Sequence, residues 1–406
     1  MESRGALSGI RILDFSWLFS GPIATRFMGD HGAEVIKVES STRPDDARAY
    51  APFRDDIPGA NRSALFANYN SNKLGMTLNL NNPQGLDLAK KLVAESDVVI
   101  EAFASGTMHR WGLQYEELVN IKPDIIMMSI TMQGQSGPFS QYATFGLFFQ
   151  SLLGFTNCTG WPDRAPAPPP TPYTDFIAPW FAVIGIMGAI DYRRRTGKGQ
   201  YIDLSQLESS LHFLAPNILE YYINGRDPTR KGNRSDRAAP HGIYRCKGDD
   251  KWCAISIFNE YEWNGFCDAI GNPMWTEDNK YRTILSRLEN YEELDMLTEQ
   301  WTVLHSPEEV MALLQAKGVP AGVVQDGRDL VDRDPQLKHR GHFRVLDHPE
   351  SGSHIYEAPP FRLNKTPAGE PTCAPCLGEH NEYICKHVLG MSDNEFVALV
   401  NSGAFG

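Results

Sequence analysis

Over its first 131 residues the chain alternates between two hydrophobic periods, and this alternation restricts the possible fold more than any other feature. The segment GIRILDFSWLFSGPIATRFMGDHGAEVIKVES holds an apolar run at 10–15 and a loop. Helical spacing follows from Pro22, then a glycine stop at Gly32 and a second strand at 34–39. This predicts a βαβ unit. LGMTLNL, DVVIEAF and DIIMMSITMQG read as further strands, with helices in NPQGLDLAKKLVAES and YEELVNIKP between them. Strands alternating with helices make a mostly parallel sheet covered on both faces, so the predicted class is α/β. Ligands of such sheets gather beyond the carboxyl ends of the strands, here around 16–21, Ser40, 102–106 and 131–137. Gly21 is expected to let the backbone approach a ligand closely. No G-x-G-x-x-G follows the first strand, so a dinucleotide fingerprint is absent.

Further along, the proline-rich RAPAPPPTPYTD leads into an apolar run at 176–190 that ends in DYRRRTGKGQ, which predicts a buried helix. QYIDLSQLESSLHFLAPNILEYYING reads as a strand running into a long helix. A hairpin-like pattern then begins a second domain. The formal net charge of -12 leaves no electrostatic footprint for nucleic acid, and an anionic ligand would need local cations. The N-terminus has no signal-peptide core and nowhere do about 18 uncharged apolar residues run together, so a cytoplasmic protein without a membrane partner is expected. Seven cysteines, an odd number, suit reduced thiols. Cys373, Cys376, His380 and Cys385 approach zinc-knuckle spacing, but a chain of 406 residues needs no metal staple, and no metal is expected.

Asp175 stands between the proline-rich run and the apolar helix. Taken alone, an aspartate there is an N-cap signature. The ordered set SGPIATRFMGDHGAEVIKVES, NYNSNKLGMTLNLNNPQG, DVVIEAFASGTMHRWGL, the Asp175 region with RRRTGKGQYIDLSQLES, GVPAGVVQDGRDLVDRDPQLKHRGHF, and APPFRLNKTP with LGEHNEYI resembles the class III (CaiB/BaiF-type) CoA-transferases almost end to end. That family includes formyl-CoA transferase and crotonobetainyl-CoA:carnitine CoA-transferase.

The resemblance implies a Rossmann-like large domain with a parallel sheet built from both chain ends, a smaller central α+β domain and an interlocked dimer. It places the N-terminal part of the large domain at 1–205, a linker helix at 206–230, the small domain at 231–325, and a linker with the return to the large domain at 326–406. The partner is a second copy or a homologous subunit. The resemblance also implies that Asp175 is the nucleophile, forming first a mixed anhydride with the acyl group and then an aspartyl-CoA thioester. Transfer of this kind conserves thioester energy and needs no tightly bound cofactor, with coenzyme A and acyl-CoA as substrates. A carboxylate that does this must be ionised, partly desolvated and close to the thioester.

The positions matching CoA contacts are Leu18, Phe19, Ser40, Lys73, Leu78, Asn81, Ala102, Phe103 and Arg110, with Arg110 the expected phosphate ligand and Lys73 the weaker one. Formyl-CoA transferase carries arginine at the position of Ser40, asparagine at Ala102, lysine at Asn81 and a Tyr-Glu pair at Phe145 and Gly146, so formyl and oxalate chemistry is not expected. Phe145, Phe148, Phe149 and Trp180 are the expected acyl-site surface. They point to a bulky, aromatic acid such as benzylsuccinate as acceptor, and succinyl-CoA is the expected donor. The same fold hosts acyl-CoA racemases, whose histidine aligns near Phe145, but no histidine lies between His109 and His212. A CoA-binding subunit of a heteromeric transferase is the other alternative.

Overall fold

The alternating apolar segments become one six-stranded parallel sheet in a computed structural model that describes residues 5–142 and 145–406. Its strands are β1 (Arg11–Asp14), β2 (Glu34–Glu39), β3 (Lys73–Thr77), β4 (Val98–Glu101), β5 (Ile126–Thr131) and β6 (Tyr201–Ser205). Their spatial order is β3-β2-β1-β4-β5-β6, the doubly wound arrangement in which the chain reverses direction across the sheet beside β1.

The period of two along each strand sorts side chains to opposite faces. Ile12, Val35, Val98 and Ile126 pack on one side with Ala24 and Met28 of α1 (Ser20–Asp30). Leu13, Ile36, Val99 and Met127 pack on the other with Leu88, Leu92 and Val93 of a helix at Pro83–Ala94. The predicted strand at 10–15 shrinks to four residues, and the helix after it begins at Ser20, two residues before Pro22.

The sheet is not built from both chain ends, since every one of its strands lies between residues 11 and 205. The C-terminal segment instead seals the β3 edge: Gly75 N–H donates to His380 Nδ1, and Thr77 N–H to Asn381 Oδ1 at 2.9 Å. Ile384 and Cys385 enter the core there. The Cys373–Cys385 segment is thus an edge cover, with the His380 ring nitrogen already engaged.

Two compact units partition the chain, one comprising residues 1–156, 168–227 and 338–406 and the other 157–167 and 228–337. These bounds differ from the sequence expectation. The predicted linker helix at 206–230 is in the first unit as far as residue 227, and it is broken into Gln206–Leu211, a 3-10 turn at His212–Leu214, and Ala215–Asn224. Pro216 explains the break, because it has no N–H to bond back and is accommodated only in the first turn of a new helix. Residues 326–337 stay with the second unit, which has its own antiparallel sheet of Ala321–Val323, Trp252–Ser256 and His241–Arg245. Its core gathers Trp263, Phe266, Tyr281 and Leu294.

Candidate active site

The 24-residue helix Tyr173–Thr196 starts three residues earlier than its apolar run suggests, so Asp175 sits inside its first turn and not in front of it. Pro172 occupies the N-cap position, and among the described residues no side chain caps the helix. The Asp175 N–H is already spent on the Pro172 carbonyl at 2.9 Å. By length and composition this helix resembles a membrane span, but Ala182, Ile186, Ala189 and Ile190 are buried in the core against the sheet.

The Asp175 carboxylate, relieved of any capping role, turns toward other elements. Ser20, the first residue of α1, places its hydroxyl 3.3 Å from Asp175 Oδ1. Gln206, directly after β6, donates from Nε2 to Ser20 Oγ at 3.0 Å. On the other side, a Cβ added to Gly146 would lie 2.2 Å from Asp175 Oδ2, so the chain there approaches the carboxylate as closely as only glycine permits. Burial raises the Asp175 carboxyl to about 6, with hydrogen bonds from Ser20 and Gln206 pulling the other way. A carboxylate of this kind is ionised at neutral pH yet more basic than one in water.

Gly146→Ala is therefore expected to displace the Asp175 carboxylate from its place beside Ser20. Titration of the Asp175 carboxyl by NMR in parent and variant checks this, and an unchanged titration would show that the contact is unimportant.

Half-buried rings stand next to Ser20 and Asp175 in the chain. Phe19, Tyr69 and Phe176 form a triangle with centroid separations of 5.8, 5.8 and 6.1 Å. Phe19 thus packs beside the Asp175 turn and does not line the cleft described next. Of the expected acyl-site aromatics, Phe145 and Phe148 are exposed and adjoin Gly146, but two do not serve. Phe149 is fully enclosed in the core. Trp180, five residues along the helix from Asp175, is about 140° around its axis and packs edge-on against Phe27 at 5.3 Å. Gly21 is also corrected: its missing side chain makes room for Ser16 Oγ and not for a ligand.

A cleft of about 640 Å³ opens at the carboxyl ends of β1 to β4. Seven residues singled out from the sequence line it: Leu18, Ser40, Leu78, Asn81, Ala102, Phe103 and Arg110. One wall is a run of edge-to-face rings, Trp17 to Phe103 at 5.5 Å and Phe103 to Trp111 at 5.4 Å. Two cations face the cleft. Arg43 lies over the Trp17 ring at 5.7 Å, and Arg110 donates to Thr107 Oγ1 at 3.0 Å. Flat apolar walls with guanidinium groups are what an adenine nucleotide and its phosphates require. Trp17 and Arg43 were missed in the sequence, although Arg43 follows β2 at the carboxyl edge where such sheets bind ligands. Glu101 Oε2 accepts from Phe103 N–H at 2.7 Å and holds the turn beneath the cleft, its own pKa pushed up to about 7 by burial.

Lys73 does not line the cleft. It is buried, with Nζ 3.0 Å from Asp14 Oδ2 and further bonds to the Pro22 carbonyl and Asn70 Oδ1. Burial exceeds the pull of Asp14 and lowers it to about 8. It belongs to a buried ionic network under the β1–α1 loop. Lys37 bonds the Ser16 carbonyl at 2.7 Å and pairs with Asp45 at 2.8 Å. Asp45 in turn accepts from Leu18 N–H at 2.9 Å. That bond holds Leu18 at a φ of 64°, a left-handed conformation costing a side-chain-bearing residue about 1–2 kcal/mol.

Residues 7–381 match the family described as CoA-transferase family III. The chain belongs to that family. A succinyl-CoA–D-citramalate CoA-transferase of Chloroflexus aurantiacus is 31% identical over 97% of this chain and 96% of its own length. The mouse succinyl-CoA:glutarate CoA-transferase is 32% identical over 99% of this chain and 91% of its own. Among solved structures, a CaiB/BaiF family protein from Brucella suis superposes with a TM-score of 0.87, at 31% identity, over 95% of this chain and 100% of that one. This family III protein is accordingly an enzyme of the CoA-transferase type, with CoA thioesters as substrates. His212, the first histidine after His109, stacks on Phe181 at 5.5 Å.

Proposed function

We propose that this enzyme transfers CoA from succinyl-CoA to a dicarboxylic acid bearing an apolar, aromatic body, with Asp175 as the transient acyl carrier. The observation that carries this reading is the Asp175 carboxylate itself, largely buried, held at Oδ1 by Ser20 and approached at Oδ2 by the Gly146 backbone. In this reading Oδ2 attacks the thioester carbonyl, the carbon–sulfur bond breaks, and CoA leaves as thiolate. The thiolate then attacks the aspartyl carbonyl carbon and releases the donor acid, leaving CoA on Asp175. The acceptor acid repeats both steps in reverse. The cleft lined by Arg43, Arg110 and the Trp17–Phe103–Trp111 wall would hold the nucleotide end of CoA.

The donor and the dicarboxylate class follow what the citramalate and glutarate enzymes are named for. The aromatic body follows Phe19, Tyr69 and Phe176 beside Asp175, with Phe145 next to Gly146. Benzylsuccinate unites both features. An acceptor panel with succinyl-CoA tests this: benzylsuccinate is expected to surpass glutarate and citramalate in kcat/KM, and a preference for the unsubstituted dicarboxylates would reassign the aromatic rings to packing.

A dimer is part of the proposal. Trp180, Ile184 and Met187 on the long helix and Leu219, Tyr222 and Ile223 on Ala215–Asn224 are large apolar side chains left exposed, which supports a second copy or a homologous subunit covering them.

A further inference from the structure

We infer that Ser20, oriented by Gln206, is a catalytic residue that carries the negative charge formed on Asp175 Oδ1 when CoA thiolate attacks the aspartyl carbonyl carbon. The inference rests on Asp175 acting as the acyl carrier, as proposed above. Its basis is a directional chain of three buried or half-buried groups drawn from three separate elements. Ser20 is 4% exposed and Gln206 6%. The Gln206 amide fills one lone pair of the Ser20 hydroxyl, and the single hydroxyl hydrogen is left for a carboxylate that has no hydrogen of its own to give. The Asp175 main-chain oxygen, at 3.5 Å, is the more distant acceptor. Gln206 Oε1 has no hydrogen-bond partner among the described residues, so the amide is fixed through its nitrogen.

This arrangement makes the two carboxylate oxygens unequal. Oδ2 lies on the Gly146 side, away from the Ser20 hydroxyl, and is the nucleophile. Oδ1 faces Ser20. When the thiolate adds to Cγ of the mixed anhydride, a sulfur–carbon bond forms and the electron pair of the Cγ–Oδ1 double bond moves onto Oδ1. Collapse restores that double bond and breaks the Cγ–Oδ2 bond, so Oδ2 departs with the donor acid as its carboxylate. Ser20 keeps its proton throughout. In the resting aspartate the charge is shared between two oxygens, whereas in the tetrahedral species it resides on the one beside Ser20, so the hydrogen bond strengthens where catalysis needs it. The pKa of Asp175 reflects the same contacts, since α1 and the Gln206 helix contribute hydrogen bonds and no charged side chain figures in the shift.

The test compares Ser20→Ala, Ser20→Thr and Gln206→Met with the parent enzyme, using full-length protein with succinyl-CoA and succinate exchange. Ser20→Ala should lower kcat by about 10²-fold with KM for succinyl-CoA within about twofold, while Ser20→Thr recovers most of the rate. Both Ser20→Ala and Gln206→Met should move the acid limb of the kcat profile to higher pH, a change that a purely structural role would not produce. Unchanged kcat and pH profile in Ser20→Ala would overturn the inference, as would Ser20→Thr failing as completely as alanine while its circular dichroism matches the parent. Peptide mapping of the parent enzyme separates the two levels: a CoA adduct on Asp175 with an unaffected Ser20→Ala rejects the serine alone, and transfer without any Asp175 adduct rejects the carrier.

Discussion

Asp175→Asn is expected to abolish CoA transfer and, at the same time, to make the protein more stable above pH 6. The amide cannot form the anhydride, so turnover should fall by at least about 10³-fold, while CoA binding in the cleft is untouched. The gain in stability follows from the elevated pKa. Burial raises the Asp175 carboxyl from 3.8 to about 6, so the folded state binds this proton more tightly than the unfolded chain does. Stability is then lost as pH rises from about 4 through 6, and the full cost of keeping the carboxylate ionised is present at pH 7.5. At about 1.4 kcal/mol per unit the cost is about 3 kcal/mol at most, lessened by the water that still reaches the group. Asparagine is free of it. Thermal melts should therefore show a higher Tm for the variant at pH 7.5 and a vanishing difference near pH 4. Equal Tm values at both pH values would contradict the burial of this carboxylate.

The second large effect lies beneath the site. Lys37→Met should destabilise the protein by about 3–5 kcal/mol, because it leaves Asp45 buried opposite an apolar side chain and takes one of two lysines from Asp14. Burial pushes Asp14 upward, and Lys73 and Lys37 together hold it below its usual value. Transfer activity should fall too, because the lost bond to the Ser16 carbonyl and the weakened Asp45 no longer fix Leu18 and the start of α1 where Ser20 sits. Adding Asp45→Asn removes the unpaired charge while keeping an acceptor for the Leu18 and Ala47 amides, so the double variant should regain much of the stability. Urea denaturation of the single and double variants measures this. A single variant as stable as the parent would mean that the network is not holding the loop.

How far the molecule could be read from its residues depends on the distance over which each feature is decided. The parallel sheet is written in local periods of two and 3.6, and the strand at 34–39 was placed to the residue. Seven cleft residues were accessible through the family resemblance, and four of them, Leu18, Ser40, Ala102 and Phe103, also through their place at the carboxyl ends of parallel strands. Lys73 was misjudged because its partner, Asp14, lies 59 positions earlier, and a lysine opening a strand gives no local sign of burial. Ser20 and Gln206 are 186 residues apart and meet only through the order of β1 and β6 in the fold. Phe148 and Phe149 illustrate the limit at its shortest range: on a four-residue helix one is 69% exposed and the other fully buried, a distinction that composition does not carry. Gly146 gave no warning at all, since a missing side chain becomes a requirement only when Asp175 stands against it.

The most direct measurement is peptide mapping by mass spectrometry after the enzyme is mixed with succinyl-CoA and quenched in acid. The account predicts a covalent CoA adduct, with the elements of water lost, on the peptide carrying Asp175, and its conversion to a reduced side chain by borohydride. Rapid transfer with that peptide unmodified at every quench time, or with CoA attached to a different residue, would contradict it.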